Sequence, residues 1–357
     1  MSSYMRKRRM AAITYDPNFN LPKINKEIPQ HRVILQEIEG LIKVFKDGHV
    51  ERPQIVPNVT SKLPNELGVT SSDMVIDRYT NIWARLYVPK ILCQGNKLPL
   101  LIYFHGGGFC VGSASWICYH EFLVKLASIA NCVIMSVNYR LAPENRLPRA
   151  YDDGVKTIAW VRQKVLLSAN EDYWWLNKVD FSSTFLVGDS AGGNIAHNVA
   201  IRLCSKFGDL KPITLKGTIL IQPFFGGESR TYSEKYTAQL PRSALTLASA
   251  DTYWRLALPM GANRDHPWCN PIANEGENLV NIRDIPGILV CISELDILRD
   301  WNLEFCATLN RVVGNKKLVE YVMFKGVGHA FQVLNKSQIA QERTTDLIEH
   351  IKAFISR

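Results

Sequence analysis

The sequence contains no uninterrupted apolar run that approaches the length of a membrane-spanning helix. Its 8 cysteines form no C-x-x-C pair and no cluster with histidine at metal-ligand spacing, so we expect neither a metal ion nor a cofactor. No basic patch is interleaved with aromatic residues, which argues against nucleic acid as a partner. No internal repeat or low-complexity tract is present. These absences leave a small molecule as the expected partner.

The composition is that of an enzyme-sized globular chain. With 357 residues, 46% of them hydrophobic and 21% charged, it can bury one large core. We predict a mobile tail at residues 1–25, which supplies four cations at 6–9 towards the net charge of +9, and a single domain at 26–357. No apolar segment follows those cations, so no secretory signal is expected. Cysteines in apolar strands, such as Cys132 and Cys291, favour the cytoplasm, with the nucleus as the alternative.

Apolar, β-prone runs alternate with helical segments along most of the chain. An antiparallel pair is predicted at 74–79 and 82–88, followed by strands at 99–105, 132–138, 184–189, 216–222, 287–293 and 319–324. This rhythm predicts an α/β fold with a mostly parallel central sheet flanked by helices. We predict a helical cap from about 26–60, with a helix over 25–45, and from 226–278, where the alternation is interrupted.

The most informative motif lies where one predicted strand gives way to a helix. Residues 188–192 read GDSAG, between the apolar run 184–187 and the breaker-free helical segment 194–201. A serine between two glycines on such a turn is typical of the nucleophile elbow of an α/β-hydrolase, because small neighbours allow the sharp turn that exposes the hydroxyl. We therefore predict that Ser190 is a nucleophile.

A glycine-rich loop follows the earlier strand. Residues 105–109 read HGGGF, and such glycines let backbone N–H groups point towards a ligand. Acyl transfer needs donors at the oxygen that becomes negative, and we expect these to be the N–H groups of Gly107, Gly108 and Ala191. No Lys-Ser/Thr pair follows the glycines, which disfavours a phosphate-binding loop.

A base and an acid should follow Ser190 in this fold, in the order acid and then histidine. His329 lies on a glycine loop just beyond the strand 319–324, where a general base can reach a neighbouring elbow. His197 lies about two turns down the elbow's own helix and is excluded. His350 falls in a terminal amphipathic helix, and His266 lies in a loop.

The acid is predicted at Asp296, just after the buried strand 287–293. An aspartate at that position can accept a hydrogen bond from the far nitrogen of His329 and fix its tautomer. Glu294 and Asp300 are the rival carboxylates. Asp296 can alternatively serve as a cap for the helix that begins near Arg299.

Four motifs in this order resemble those of the hormone-sensitive-lipase branch of the α/β-hydrolases. They are HGGGF at 105–109, NYRLAPE at 138–144, GDSAG at 188–192 and GHAF at 328–331. Within that branch the chain is similar to the plant class I carboxylesterases, which the segments IKVFKDGHVER at 42–52 and FFGGES at 224–229 also indicate. The resemblance implies a serine carboxylesterase that acts on small esters, with Ser190, Asp296 and His329 as its triad.

The same family leaves two alternatives open. One is a lyase, cyclase or methyl-esterase of plant specialised metabolism, acting on alkaloids or phenolics. The other is a small-molecule hormone receptor, since the family includes gibberellin receptors that lack the triad histidine and carry serine where this chain has Gly108. Five aromatic residues are candidates for the substrate pocket as well as for core packing: Phe109, Trp116, Phe225, Trp254 and Phe331.

Overall fold

A computed structural model of the chain describes residues 32–90, 97–167, 173–206, 210–237, 243–273, 279, 287–314 and 319–357. The predicted tail at 1–25 and the first residues of the predicted cap, 26–31, lie outside the described residues. None of the helices in the described part of the chain is long and apolar enough to cross a bilayer.

The centre of the fold is an eight-stranded sheet. Its strands are β4 (Val69–Asp77), β5 (Ile82–Pro89), β6 (Leu98–Phe104), β7 (Val133–Asn138), β8 (Val179–Asp189), β9 (Leu215–Ile221), β10 (Ile288–Ser293) and β11 (Val319–Phe324). They are ordered β4-β5-β7-β6-β8-β9-β10-β11 across the sheet. β4 and β5 pair antiparallel with their neighbours, whereas β7, β6, β8, β9, β10 and β11 are mutually parallel. The predicted mostly parallel sheet is confirmed, including the antiparallel pair at its edge.

Helices cover both faces of the sheet, because each central strand is apolar on both sides. The helices are α1 (Ile117–Ala130), α2 (Arg149–Leu166), α3 (Ala191–Lys206), α4 (Tyr232–Tyr236), α5 (Leu247–Ala257), α6 (Arg299–Val313), α7 (Phe331–Leu334) and α8 (Gln338–Ile355). In β6, Leu100 and Ile102 belong to a core shared with α2, α3 and α6. Leu101 and Tyr103 belong to the opposite core, under α1 and α8. Alternate side chains along the strand therefore belong to two hydrophobic cores, one on each face of the sheet.

The helix predicted over 25–45 is wrong within the described residues. Residues from 34 onwards form a small antiparallel sheet of β1 (Ile34–Ile38), β2 (Ile42–Phe45) and β3 (Val50–Glu51). Gly40, with φ of +71°, makes the turn between the first two strands. Ile42 and Val44, two residues apart, are both buried, which is the period of a strand and not of a helix.

The small sheet lies beside α5 and the glycine loop. Arg255 in α5 donates from Nε to Oε1 of Gln36 at 3.4 Å. Arg52 donates from its Nη1 and Nη2 atoms to the two carboxylate oxygens of Glu144 at 2.8 and 2.6 Å, and from Nε to the carbonyl of Cys110 at 2.6 Å. These contacts connect residues 32–52 with the loop after β6 and with the segment 226–278. That the two segments together form a cap stays a prediction.

All six parallel strands end at the same edge of the sheet, because they run in one direction, and five of them lead into the site. β6 leads into the glycine loop, β8 into Ser190, and β9 into Gln222. β10 and β11 lead into Asp296 and His329. The topology therefore gathers the glycine loop, Ser190, Asp296 and His329 at one edge, together with Gln222, which no sequence motif marks.

Candidate active site

Ser190 occupies the sharp turn between β8 and α3. Its φ is +53°, a left-handed value that few residues other than glycine adopt. The serine N–H donates to the carbonyl of Ile221 at 2.8 Å, and the serine carbonyl accepts from the N–H of Phe224 at 2.9 Å. A Cβ at Gly192 would fall 1.9 Å from the carbonyl oxygen of Phe104, so the turn requires glycine there.

His329 lies between Ser190 and Asp296 and contacts both. Its Nε2 is 2.8 Å from Oγ of Ser190, and its Nδ1 is 2.7 Å from Oδ2 of Asp296. With a carboxylate at Nδ1, the neutral ring carries its proton there, and Nε2 accepts from the serine hydroxyl. Ser190 is 5% exposed and Asp296 is 1% exposed. The three side chains thus form one continuous, water-poor relay of hydrogen bonds.

The rival carboxylates contact other groups. Glu294 accepts from the N–H of Gly326 at 2.9 Å through Oε2. Asp300 accepts from the N–H of Ser233 at 2.6 Å. Asp296 also accepts from the N–H of Leu298 at 3.0 Å through Oδ1. Its two oxygens therefore serve the predicted relay and the turn into α6 at the same time.

The other histidines after Ser190 do not reach it. His197 is buried in α3 with its ring centroid 5.1 Å from that of Phe305, and burial lowers its pKa to about 3. His266 packs against the ring of Trp268, and the backbone N–H of Trp268 donates to Nδ1 of His266 at 3.2 Å. His350 is exposed on α8.

The glycine loop turns its backbone towards the serine elbow through conformations that suit only glycine. Gly107 and Gly108 have φ values of +108° and +57°. A Cβ at Gly107 would lie 2.2 Å from the carbonyl oxygen of Val111, and one at Gly108 would lie 2.2 Å from Cγ of Tyr253. Neither glycine N–H donates to another described group. The N–H of Ala191, at the first turn of α3, has no partner within its own helix.

A buried carboxylate lies beneath this loop. Oδ1 of Asp189 accepts from the N–H of Gly106 at 3.0 Å and from the hydroxyl of Tyr103 at 2.7 Å, and Oδ2 accepts from the hydroxyl of Tyr119 at 3.0 Å. Burial raises the pKa of Asp189 from 3.8 to about 6. Asp189 therefore holds the start of the glycine loop against the strand that carries Ser190.

The five aromatic candidates occupy different surroundings. Phe109 and Trp254 lie together near the glycine loop, with ring centroids 5.4 Å apart. Trp116 stacks on Tyr119, whereas Phe225 and Phe331 are buried against Phe305 and Phe324. Their role as pocket walls stays a prediction.

Two residues at this site were not predicted from the sequence. Tyr253 in α5 covers Gly108, and Gln222 joins the loops that carry Asp296 and His329. No local motif marks either residue, since each acts across a long sequence separation. Within the described ranges, no group of three or more histidine, cysteine or acidic side chains could hold a metal ion.

Comparison with known proteins identifies the family to which this fold belongs. Residues 101–333, more than half of the chain, match a family model described as an alpha/beta hydrolase fold. The chain therefore belongs to the α/β-hydrolase family, and the predicted fold is confirmed.

Several plant proteins and an archaeal esterase resemble this chain. The chain is 52% identical over 327 residues to probable carboxylesterase 6 of Arabidopsis thaliana, covering 91% of this chain and 92% of the relative. It is 38% identical to gibberellin receptor GID1A of the same plant, covering 71% and 73%. A hyperthermophilic esterase from Pyrobaculum calidifontis has a similar structure, with a TM-score of 0.65 and 27% identity over 82% of this chain and 85% of the esterase. The predicted resemblance to the plant carboxylesterases is confirmed.

Proposed function

We propose that this protein is a serine carboxylesterase that hydrolyses small carboxylic esters through an acyl-enzyme. The class of reaction follows from the carboxylesterase relative, which matches over nine-tenths of both chains. The mechanism is supported by one observation above all: the unbroken series of hydrogen bonds from Asp296 through His329 to Ser190, at 2.7 and 2.8 Å.

Acylation begins when Oγ of Ser190 attacks the ester carbonyl carbon. His329 takes the serine proton at Nε2, and Asp296 stabilises the imidazolium through Nδ1–H. The carbonyl oxygen becomes an oxyanion, which the N–H groups of Gly107, Gly108 and Ala191 bind. The imidazolium then gives its proton to the departing alkoxide, and the alcohol leaves an acylated serine.

Deacylation repeats these steps with water as the nucleophile. His329 removes a proton from water, the hydroxide attacks the acyl carbon, and the same three N–H groups bind the second oxyanion. Collapse of this intermediate returns the proton to Oγ of Ser190 and releases the carboxylic acid. Tyr253 lies directly over the glycine loop, so we expect short acyl groups to be preferred.

The receptor alternative is less well supported. A receptor needs to bind its ligand but does not need a nucleophile, a base and an acid in hydrogen-bond contact. Moreover, the ring of Tyr253 leaves no room for a side chain at Gly108, the residue replaced by serine in the receptors. A lyase would use the same scaffold without forming an acyl-enzyme.

The test uses p-nitrophenyl acetate, with Ser190→Ala as the decisive variant. We expect Ser190→Ala to lower kcat by about 10⁴-fold or more, because attack then has no nucleophile. Ser182→Ala, at an exposed serine on the same strand β8, is the matched control and should leave kcat unchanged. An organophosphate should add to Ser190 in the wild type, detected by peptide mass spectrometry.

Three outcomes would contradict the proposal. Turnover by Ser190→Ala close to that of the wild type removes the nucleophile from the mechanism. A folded wild type that binds esters without turnover favours a receptor. On alkaloid or phenolic substrates, elimination products without a carboxylic acid favour a lyase.

We further place the enzyme in the cytoplasm, with the nucleus as the alternative. This is supported by the cysteines, of which the seven in the described ranges are free thiols. Burial raises the pKa of the Cys118 thiol to about 12, which keeps that thiol protonated and unreactive. Such thiols suit a reducing compartment.

A further inference from the structure

Gln222, the residue after β9, connects the two loops that carry Asp296 and His329. Its side chain is 1% exposed. Its amide oxygen accepts from the N–H of Ala330 at 2.7 Å, and its amide nitrogen donates to Oγ of Ser293 at 2.6 Å. Ala330 follows His329 directly, and Ser293 is the last residue of β10. The amide group of Gln222 therefore links the end of β10, which precedes Asp296, to Ala330, which follows His329.

Gln222 and two residues near it have left-handed backbone conformations, which are unfavourable for residues other than glycine. Gln222, Ala330 and Ser190 have φ values of +47°, +56° and +53°, and none of them is glycine. Left-handed conformations at such residues persist only where the surroundings impose them, and they cluster at functional sites. Gln222 also adjoins the elbow, because the carbonyl of its neighbour Ile221 accepts from the N–H of Ser190 at 2.8 Å. The strain is thus concentrated around the proposed triad.

The hydrogen bond to Ala330 holds one of the two flanks of His329. On the other flank, the carbonyl of Val327 accepts from the N–H of Leu295 at 3.0 Å. Ala330 is 6% exposed and is the N-cap of α7, with no side-chain capping bond of its own. Without the oxygen of Gln222, its buried N–H would lack an acceptor, and the loop would have to move to find one. Any such movement displaces His329 relative to Ser190.

We propose that Gln222 is a positioning residue, which holds the imidazole of His329 at hydrogen-bond distance from Ser190 by binding the N–H of Ala330. It contacts neither the substrate nor the reacting atoms. The inference rests on the proposed serine-esterase function, and its test is separable from the test of that function.

The experiment compares two buried glutamines near the same loop. Gln222→Met removes both hydrogen bonds while keeping the side-chain volume. Gln332→Met is the matched control, since Gln332 is 7% exposed and neither of its amide atoms has a partner among the described residues. On p-nitrophenyl acetate we expect Gln222→Met to lower kcat by about 10- to 100-fold, because small displacements of catalytic groups have effects of this size. KM should stay within twofold, and Gln332→Met should keep the wild-type kcat.

Rescue distinguishes positioning from a general loss of stability. Gln222→Glu keeps an oxygen acceptor for Ala330 whether the carboxyl group is ionised or protonated, so most of the lost kcat should return. The rate of organophosphate inactivation, which reports the attack by Ser190, should follow the same order: wild type, then Gln222→Glu, then Gln222→Met. Thermal unfolding followed by circular dichroism establishes that each variant is folded.

The outcomes separate the two proposals. If Ser190→Ala is inactive but folded Gln222→Met keeps its kcat within twofold, the positioning role is overturned and the esterase mechanism stands. Equal losses in Gln222→Met and Gln222→Glu, or in Gln332→Met, also overturn it. If Gln222→Met does not fold, Ser293→Ala replaces it. Ser293→Ala removes only the acceptor for the amide nitrogen, so it is read together with Gln222→Asn, whose side chain is one methylene too short for its oxygen to reach the N–H of Ala330. A wild-type kcat and inactivation rate in Gln222→Asn would then reject the role.

Discussion

Replacing Gly108 by alanine would bring a methyl group into the ring of Tyr253. The new Cβ would lie 2.2, 2.4 and 2.5 Å from the ring atoms Cγ, Cδ1 and Cδ2. Tyr253 is 4% exposed within α5, so its ring has little room to move aside. The backbone of the glycine loop must therefore shift, and the N–H of residue 108 shifts with it.

The expected magnitude has two separate parts. Losing one donor of an oxyanion hole costs about 2.7–4 kcal/mol of transition-state stabilisation, which lowers kcat by about 10²–10³-fold. The φ of +57° adds a cost to folding, since a left-handed conformation disfavours a side chain by about 1–2 kcal/mol. The first effect appears in kcat and the second in the free energy of unfolding, so the two are measured independently.

The assay is hydrolysis of p-nitrophenyl acetate, together with urea unfolding followed by circular dichroism. Gly40→Ala is the matched control: its φ is +71°, but no atom lies within 4 Å of the new Cβ. It should lose similar stability and keep its kcat. Adding Gly108→Ala to a Tyr253→Ala protein should lower kcat by a smaller factor than adding it to the wild type, because the clash is gone.

Two results would refute this reasoning. A folded Gly108→Ala protein with kcat within threefold of the wild type would show that the N–H of residue 108 does not bind the oxyanion. An equal fold loss of kcat on adding Gly108→Ala to the wild type and to Tyr253→Ala would show that the ring of Tyr253 is not the cause.

Two further predictions concern carboxylates at the site. Asp296→Asn should lower kcat by about 10⁴-fold with little change in KM, because an amide no longer favours the tautomer of His329 with its proton on Nδ1. Asp300→Asn is the control and should keep the wild-type kcat. A loss below tenfold in Asp296→Asn would point to another residue as the acid. Burial raises the pKa of Asp189 from 3.8 to about 6, so its protonated form stabilises the fold below pH 4, and this contribution is lost as pH rises through 6. Relative to Asp189→Asn, the wild type should lose on the order of 3 kcal/mol of unfolding free energy between pH 3 and 7, and a pH-independent difference in urea unfolding would contradict this.

Local sequence was enough to predict most of the fold. The strands from β6 to β11 are short apolar runs next to turn residues, and each lies within about one residue of its predicted position except β8, which begins earlier. The elbow at Ser190 is equally readable, because the glycines that allow its turn lie two residues before and two residues after it. The small N-terminal sheet was not, since a short apolar segment favours helix or strand according to what it packs against.

For the site, local motifs were enough to predict which side chains could supply the chemistry and that each follows a strand. The contact of His329 with Asp296, and not with Glu294 or Asp300, comes from the folded arrangement, because it depends on how the ends of two adjacent strands lie. The tertiary structure alone places Tyr253 over Gly108 and the amide of Gln222 against Ala330, contacts that span 145 and 108 positions. Neighbouring residues encode backbone conformation, whereas such distant contacts arise from strand order and packing, which no local pattern specifies.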